Sequence, residues 1–101
     1  MKVVITPQAE MDLAEIWEWN AQDRGVRHAD RYLVFLKKAI YALSNPLVKG
    51  RSVPARQDLS FIIIKRRAKG HGHIAVYSVQ GNEVIVAHVF HTSQDWENKL
   101  P

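Results

Sequence analysis

The chain has 101 residues, of which 47% are hydrophobic and 24% charged, with no cysteine and a formal net charge of +4. That length accommodates one domain, residues 1–101, with a single modest core; the composition excludes a disordered chain, and the absence of cysteine excludes disulfides and thiolate chemistry. The apolar run Val3-Val4-Ile5 is shorter than the roughly 7–15 residues of a secretory signal, and no stretch approaches the roughly 20 apolar residues of a membrane span, so a cytoplasmic protein without a membrane partner is expected.

Lys2 to Thr6, with the β-branched run Val3-Val4-Ile5, reads as a short strand. Thr6-Pro7 is a helix start: the threonine hydroxyl caps free N–H groups, and proline at the first helical position sacrifices no hydrogen bond. Glu10, Asp12 and Glu15 then lie near the positive end of the helix dipole. Ala9, Leu13, Ile16, Trp17 and Asn20 form one stripe, and Arg24-Gly25 is the expected stop. A second helix is marked by Ala29, Tyr32, Leu33, Leu36, Ala39, Ile40 and Leu43 and ends at Ser44-Asn45-Pro46. So short a connection predicts antiparallel helices.

Residues 47–58 show no periodic stripe and read as a loop. Leu59 to Arg67 reads as a strand with a charged end, followed by a turn over Ala68 to Gly72. Strands His73–Val79 and Val84–His91 flank a tight hairpin, where Gly81-Asn82 supplies positive φ. Thr92-Ser93-Gln94-Asp95 starts a short terminal helix over Trp96 to Leu100. The expected fold is therefore α+β: an N-terminal short strand and an antiparallel two-helix hairpin packed on a small antiparallel β-sheet of about four strands, with a short C-terminal helix. The far face of the sheet is expected to be partly open and to serve as a binding surface.

Charge is distributed unevenly. Residues 1–48 are neutral overall, whereas Lys49, Arg51, Arg56, Lys65, Arg66, Arg67 and Lys69 face only Asp58 up to residue 70. Such a concentration points to a polyanionic partner, either nucleic acid or an acidic protein, or it is a solvated loop and strand edge.

The passages Ile5-Thr6-Pro7-Gln8-Ala9-Glu10-Met11-Asp12-Leu13-Ala14-Glu15-Ile16, Leu43-Ser44-Asn45-Pro46-Leu47-Val48-Lys49-Gly50-Arg51, His73-Ile74-Ala75-Val76-Tyr77 and Val84-Ile85-Val86-Ala87-His88-Val89-Phe90-His91-Thr92-Ser93-Gln94-Asp95 together resemble the RelE/ParE toxin superfamily, and the start resembles ParE-type toxins. The resemblance covers nearly the whole chain and keeps its order. It implies the RelE/ParE fold and a cognate antitoxin that wraps the protein with a disordered segment. It also implies toxicity, either by poisoning DNA gyrase, as in ParE, or by cutting mRNA on the ribosome, as in RelE. No cofactor and no small-molecule substrate are expected.

Ribonuclease chemistry requires a base for the 2′-hydroxyl, cations for the phosphate and an acid for the leaving oxygen. In RelE-type toxins the resemblance assigns these to sheet lysines and arginines and a terminal tyrosine. Here His88 stands where the family's strand arginine falls, and the terminus Trp96-Glu97-Asn98-Lys99-Leu100-Pro101 lacks a tyrosine. A Gly81-Asn82 hairpin in unbroken register would set His73 opposite Phe90, Ala75 opposite His88 and Tyr77 opposite Val86. His73, Tyr77 and His88 would then share one face, with Arg66 or Arg67 beside them for phosphate. The same residues equally suit half-exposed sheet positions or antitoxin contacts, and a one-residue slip separates them. His71, His73, His88 and His91 have no cysteine or nearby carboxylate to complete a tetrahedron, so no metal is expected. Trp17 reads as core, while Trp19 and Trp96 suit either core or a partner surface. The sequence thus favours a gyrase-binding inhibitor without catalytic residues over a RelE-like ribosome-dependent mRNA endoribonuclease.

Overall fold

A computed structural model describes residues 1–101. The elements are β1 (Lys2–Ile5), α1 (Pro7–Arg24), α2 (Val26–Tyr41), β2 (Arg51–Val53), β3 (Arg56–Ile64), β4 (His73–Gln80) and β5 (Glu83–His91), with 3₁₀ turns at Ala42–Ser44 and Trp96–Lys99. Thr6 caps α1: its hydroxyl accepts the Ala9 N–H at 3.2 Å, and Pro7 opens the first turn. Gly25 ends α1 with φ 92° and ψ 165°, a backbone state open essentially to glycine alone, and α2 starts at the next residue. The helical hairpin expected from the short connection is closed near its bend by Trp17 Nε1, which donates to Asp30 Oδ1 at 2.8 Å.

The architecture is the expected α+β arrangement, and the sheet carries one strand more than the apolar pattern announced. Five strands lie in the order β1-β5-β4-β3-β2. β1 runs parallel to β5, and the other neighbours are antiparallel, so the sheet is mixed. The extra strand, β2, lies inside the segment read as a loop. It joins β3 through Pro54-Ala55, where Ala55 has φ 63°.

One face of the sheet holds Ile64, Ala75, Tyr77, Val84, Val86 and Val89, and it packs on Ala9 and Leu13 of α1 and Leu36, Ile40 and Leu43 of the α2 end. Each large side chain fully removed from water there contributes about 1.5–3 kcal/mol. The far face holds Val53, Ile74, Val76 and Phe90 under Trp96. Phe61 packs against Trp96 with ring centroids 4.9 Å apart. The face expected to be open is thus partly covered by the 3₁₀ turn at the C-terminal end, and Trp96 is core rather than surface. Trp19, by contrast, is 77% exposed.

Along β4 and β5 the register starts as expected, with Gln80 opposite Glu83 and Tyr77 opposite Val86. It then shifts: Val76 lies opposite His88, Ala75 opposite Val89, Ile74 opposite Phe90 and His73 opposite His91. One extra residue on β5 forms a bulge at Ala87, which reverses the facing of everything beyond it. At that point β1 has ended, and α1 covers the β5 edge instead. Thr6 Oγ1 donates to the Ala87 carbonyl at 3.2 Å, and Asp12 Oδ2 accepts the Val89 N–H at 2.9 Å.

Candidate functional site

The bulge dismantles the acid–base set expected from unbroken register. His73 and Tyr77 face the helices, as period-two alternation requires. His88 faces the other way, stacked on Phe90 with centroids 5.0 Å apart. Its Nδ1 lies 3.5 Å from Asp12 Oδ2 at the sheet edge. Tyr77 is 5% exposed, and its hydroxyl oxygen accepts the Gly50 N–H at 2.8 Å, so its polar atom holds the chain entering β2. A Cβ at Gly50 would lie 2.8 Å from that oxygen and overlap the Phe61 carbonyl, so only glycine fits this approach.

His73 is brought to a different partner. Its Nδ1 is 2.6 Å from the Tyr32 hydroxyl of α2, with His73 buried and Tyr32 half-buried. Arg66 is on the same side, its guanidinium 5.6 Å from the Tyr32 ring centroid and 5.5 Å from that of Phe35. His28, one helical turn before Tyr32, lies parallel to it at 6.4 Å. His91 meets the His73 ring edge-on at 5.2 Å and the His71 ring at 5.3 Å. These groups line one open cleft of about 1310 Å³ between the helical hairpin and the ends of β3, β4 and β5. Arg67 and Lys69 also line it, as does Trp19 on the α1 side.

Tyr32 had read as a member of an apolar helix stripe, and His71 and His91 only as incomplete metal ligands. The pair His28 and Tyr32, four apart on one helix face, was the available signal of a polar site. No group of three or more potential ligands among histidine, aspartate and glutamate converges on a metal position.

The basic residues fall into separate places. Lys49 and Arg51 border a small groove on the outer edge formed by β2, with Gly50 and Phe61 to Ile63. Arg56 is paired in two-point fashion with Asp58, both distances 3.1 Å, and also donates to the Pro101 carbonyl. This pairing raises the Arg56 pKa and lowers that of Asp58, the shared hydrogen bond being the main cause. Lys65, Arg66, Arg67 and Lys69 follow the other end of β3, about 25 Å from Arg56 along an extended strand. The ion pairs of the chain are Arg24–Asp23, Lys37–Glu10, Arg56–Asp58 and His88–Asp12, so the cleft cations Arg66, Arg67 and Lys69 have no carboxylate partner.

Burial lowers the His73 pKa to about 4, with the neighbouring His91 adding to the effect. His91 is lowered by burial and then by His71. His28 is lowered by burial and then by the charges of Arg24, Arg66 and Arg31, against Asp23. Burial raises Tyr32, and Arg66 partly offsets it. At neutral pH His73 and Tyr32 are therefore both uncharged.

Residues 3–96 match the family described as "ParE toxin of type II toxin-antitoxin system, parDE". Among solved structures the chain is similar to one titled "Chromosomal ParDE TA system from P. aeruginosa", with a TM-score of 0.74 and 19% identity, over 89% of this chain and 94% of that one. At that identity the likeness establishes the fold. A comparison with curated protein sequences finds no match.

Proposed function

This chain belongs to the ParE toxin family of type II toxin–antitoxin systems, and from that membership we propose that it arrests growth by binding DNA gyrase in the cytoplasm, without catalysing a covalent reaction. As a toxin of such a system it is paired with a cognate antitoxin. The observation that carries the non-catalytic reading is the register shift between Val76 and Tyr77. It parts His88 from His73 and Tyr77, while the Tyr77 hydroxyl is spent on the Gly50 N–H. General acid–base chemistry needs its groups within hydrogen-bond reach of one substrate position, and these three do not share a face.

Two cationic surfaces remain for macromolecular partners: Lys49 and Arg51 on the β2 edge, with Arg56 at its turn, and Lys65, Arg66, Arg67 and Lys69 beyond β3. The β2 edge leaves backbone groups unpaired and suits an added strand from a partner, with Lys49 and Arg51 favouring an acidic one.

The test is a pair of assays on the purified chain: gyrase supercoiling, and mRNA cleavage in a translating-ribosome system. Inhibition of the first with no effect on the second is expected. Tyr77→Phe and His88→Ala are expected to retain growth arrest in cells that express them as folded protein. Ribosome-dependent cleavage without gyrase inhibition, lost in these two variants, reverses the assignment to a RelE-type endoribonuclease.

A further inference from the structure

The helix-side cleft sets Arg66, Arg67 and Lys69, part of the cationic surface beyond β3, against histidines, a tyrosine and a tryptophan that the gyrase reading does not use. Four imidazoles, a phenol and a guanidinium stand side by side there, and of the lining cations Arg66, Arg67 and Lys69 lack carboxylate partners, while Arg24 pairs with Asp23. The Arg66 guanidinium lies 5.6 Å from the Tyr32 ring centroid and 5.5 Å from that of Phe35, contacts that occupy none of its N–H donors and leave them for acceptors. A phosphate presents such acceptors in the two-point geometry that arginine favours. His28, His71 and His91 add single ring donors on the same cleft wall.

The α1 wall differs. Of its acids, Asp12 is held by the Val89 N–H and His88, and Asp23 by Arg24. Glu15 is left free beside the exposed indole of Trp19. A bare anion would leave this wall unused. A ligand with a phosphate at one end and an aromatic amine-bearing ring at the other would use both walls, the ring stacking on Trp19 and its amine facing Glu15.

We propose that this cleft is a binding site for a phosphate flanked by an amino-bearing nucleobase, its phosphate held by Arg66 with the neighbouring histidines and its base set against Trp19. Two sources share that chemistry: a free nucleotide and a nucleotide unit of a single strand. Binding adds negative charge beside His28 and His91, whose pKa values burial and neighbouring groups now lower, and so draws protons toward them.

The experiment titrates the full chain with adenosine 5′-monophosphate, a short single-stranded oligoadenylate and inorganic phosphate, followed by imidazole NMR shifts and tryptophan fluorescence. Movement of the His28 and His91 resonances with quenching of Trp19 is expected, the quenching disappearing in Trp19→Leu. Arg66→Gln is expected to weaken binding by about tenfold, the loss of one charge-assisted contact. Because Arg66 also packs on two rings, the exposed Arg67→Gln and His71→Gln supply a second measurement and are expected to weaken binding with an unchanged fold. Arg56→Gln, at the far end of β3, is expected to leave affinity unchanged. Equal affinity for the mononucleotide and the oligonucleotide identifies the free nucleotide as the source, and tighter oligonucleotide binding identifies the strand. The proposal is overturned by absent imidazole shifts with every probe, by inorganic phosphate binding as tightly as the nucleotide, or by Arg56→Gln weakening binding as much as the cleft variants. These outcomes are independent of the gyrase assay, so either reading can fail alone.

Discussion

Acid should unfold this protein partly through one residue, His73, which is 8% exposed, bonded to Tyr32 and lowered from 6.5 to about 4. The folded pKa lies below the unfolded one, so between them the unfolded chain binds more protons. The stabilisation is complete above 6.5 and is lost as pH falls toward 4. At about pH 4.5 an unfolded histidine is protonated by roughly 100 to 1, while the folded one is still mostly neutral, which amounts to about 2–3 kcal/mol relative to about pH 7.5. Other groups titrate over the same range, so the comparison is with His73→Gln, which offers Tyr32 a polar partner and does not titrate. Urea melts of both proteins at the two pH values isolate the term. For an m-value of about 1–3 kcal/mol/M, the midpoint of the parent chain is expected to drop by about 1–2 M more than that of the variant. Equal pH dependence in the two proteins would refute the reasoning, as would a His73 imidazole titrating near 6.5 by NMR.

Two further outcomes concern the frame that holds the cleft and the sheet edge. Thr6→Ala removes both the cap on the Ala9 N–H and the donor to the Ala87 carbonyl at the bulge; chemical denaturation is expected to show a loss of about 1–2 kcal/mol, and a change under a few tenths would show that neither bond matters. Ala55 is held at φ 63° in the β2–β3 turn, so Ala55→Gly is expected to raise stability by up to about 1 kcal/mol, the glycine's added chain entropy offsetting part of the relief. Ala55→Val is expected to lower stability by about 1–2 kcal/mol in the same chemical denaturation, and the opposite order of the two variants would contradict the turn geometry.

The helical hairpin, the three long strands and their order were legible because their signals are local: a cap, a glycine stop, an apolar stripe every three or four residues, a two-residue turn. Thr6-Pro7, Gly25 and Gly81 each act on the backbone within one turn of themselves, and those residues carry the same meaning in any fold. The strand β2 was hidden because its turn uses Ala55 where a glycine or asparagine would have announced it. The candidate site was hidden for a different reason. His88 parted from His73 and Tyr77 because one extra residue at Ala87 changed the facing of the rest of β5, and Asp12 and Thr6, some eighty positions away, secure that edge. Tyr32 met His73 across 41 residues because α2 packs over the end of β4. A bulge leaves no mark in residue spacing, since the chain lengthens one strand without altering its composition. Which side chains share a face is then settled only when helices and strands pack, and that packing decided what chemistry this toxin-family fold can assemble.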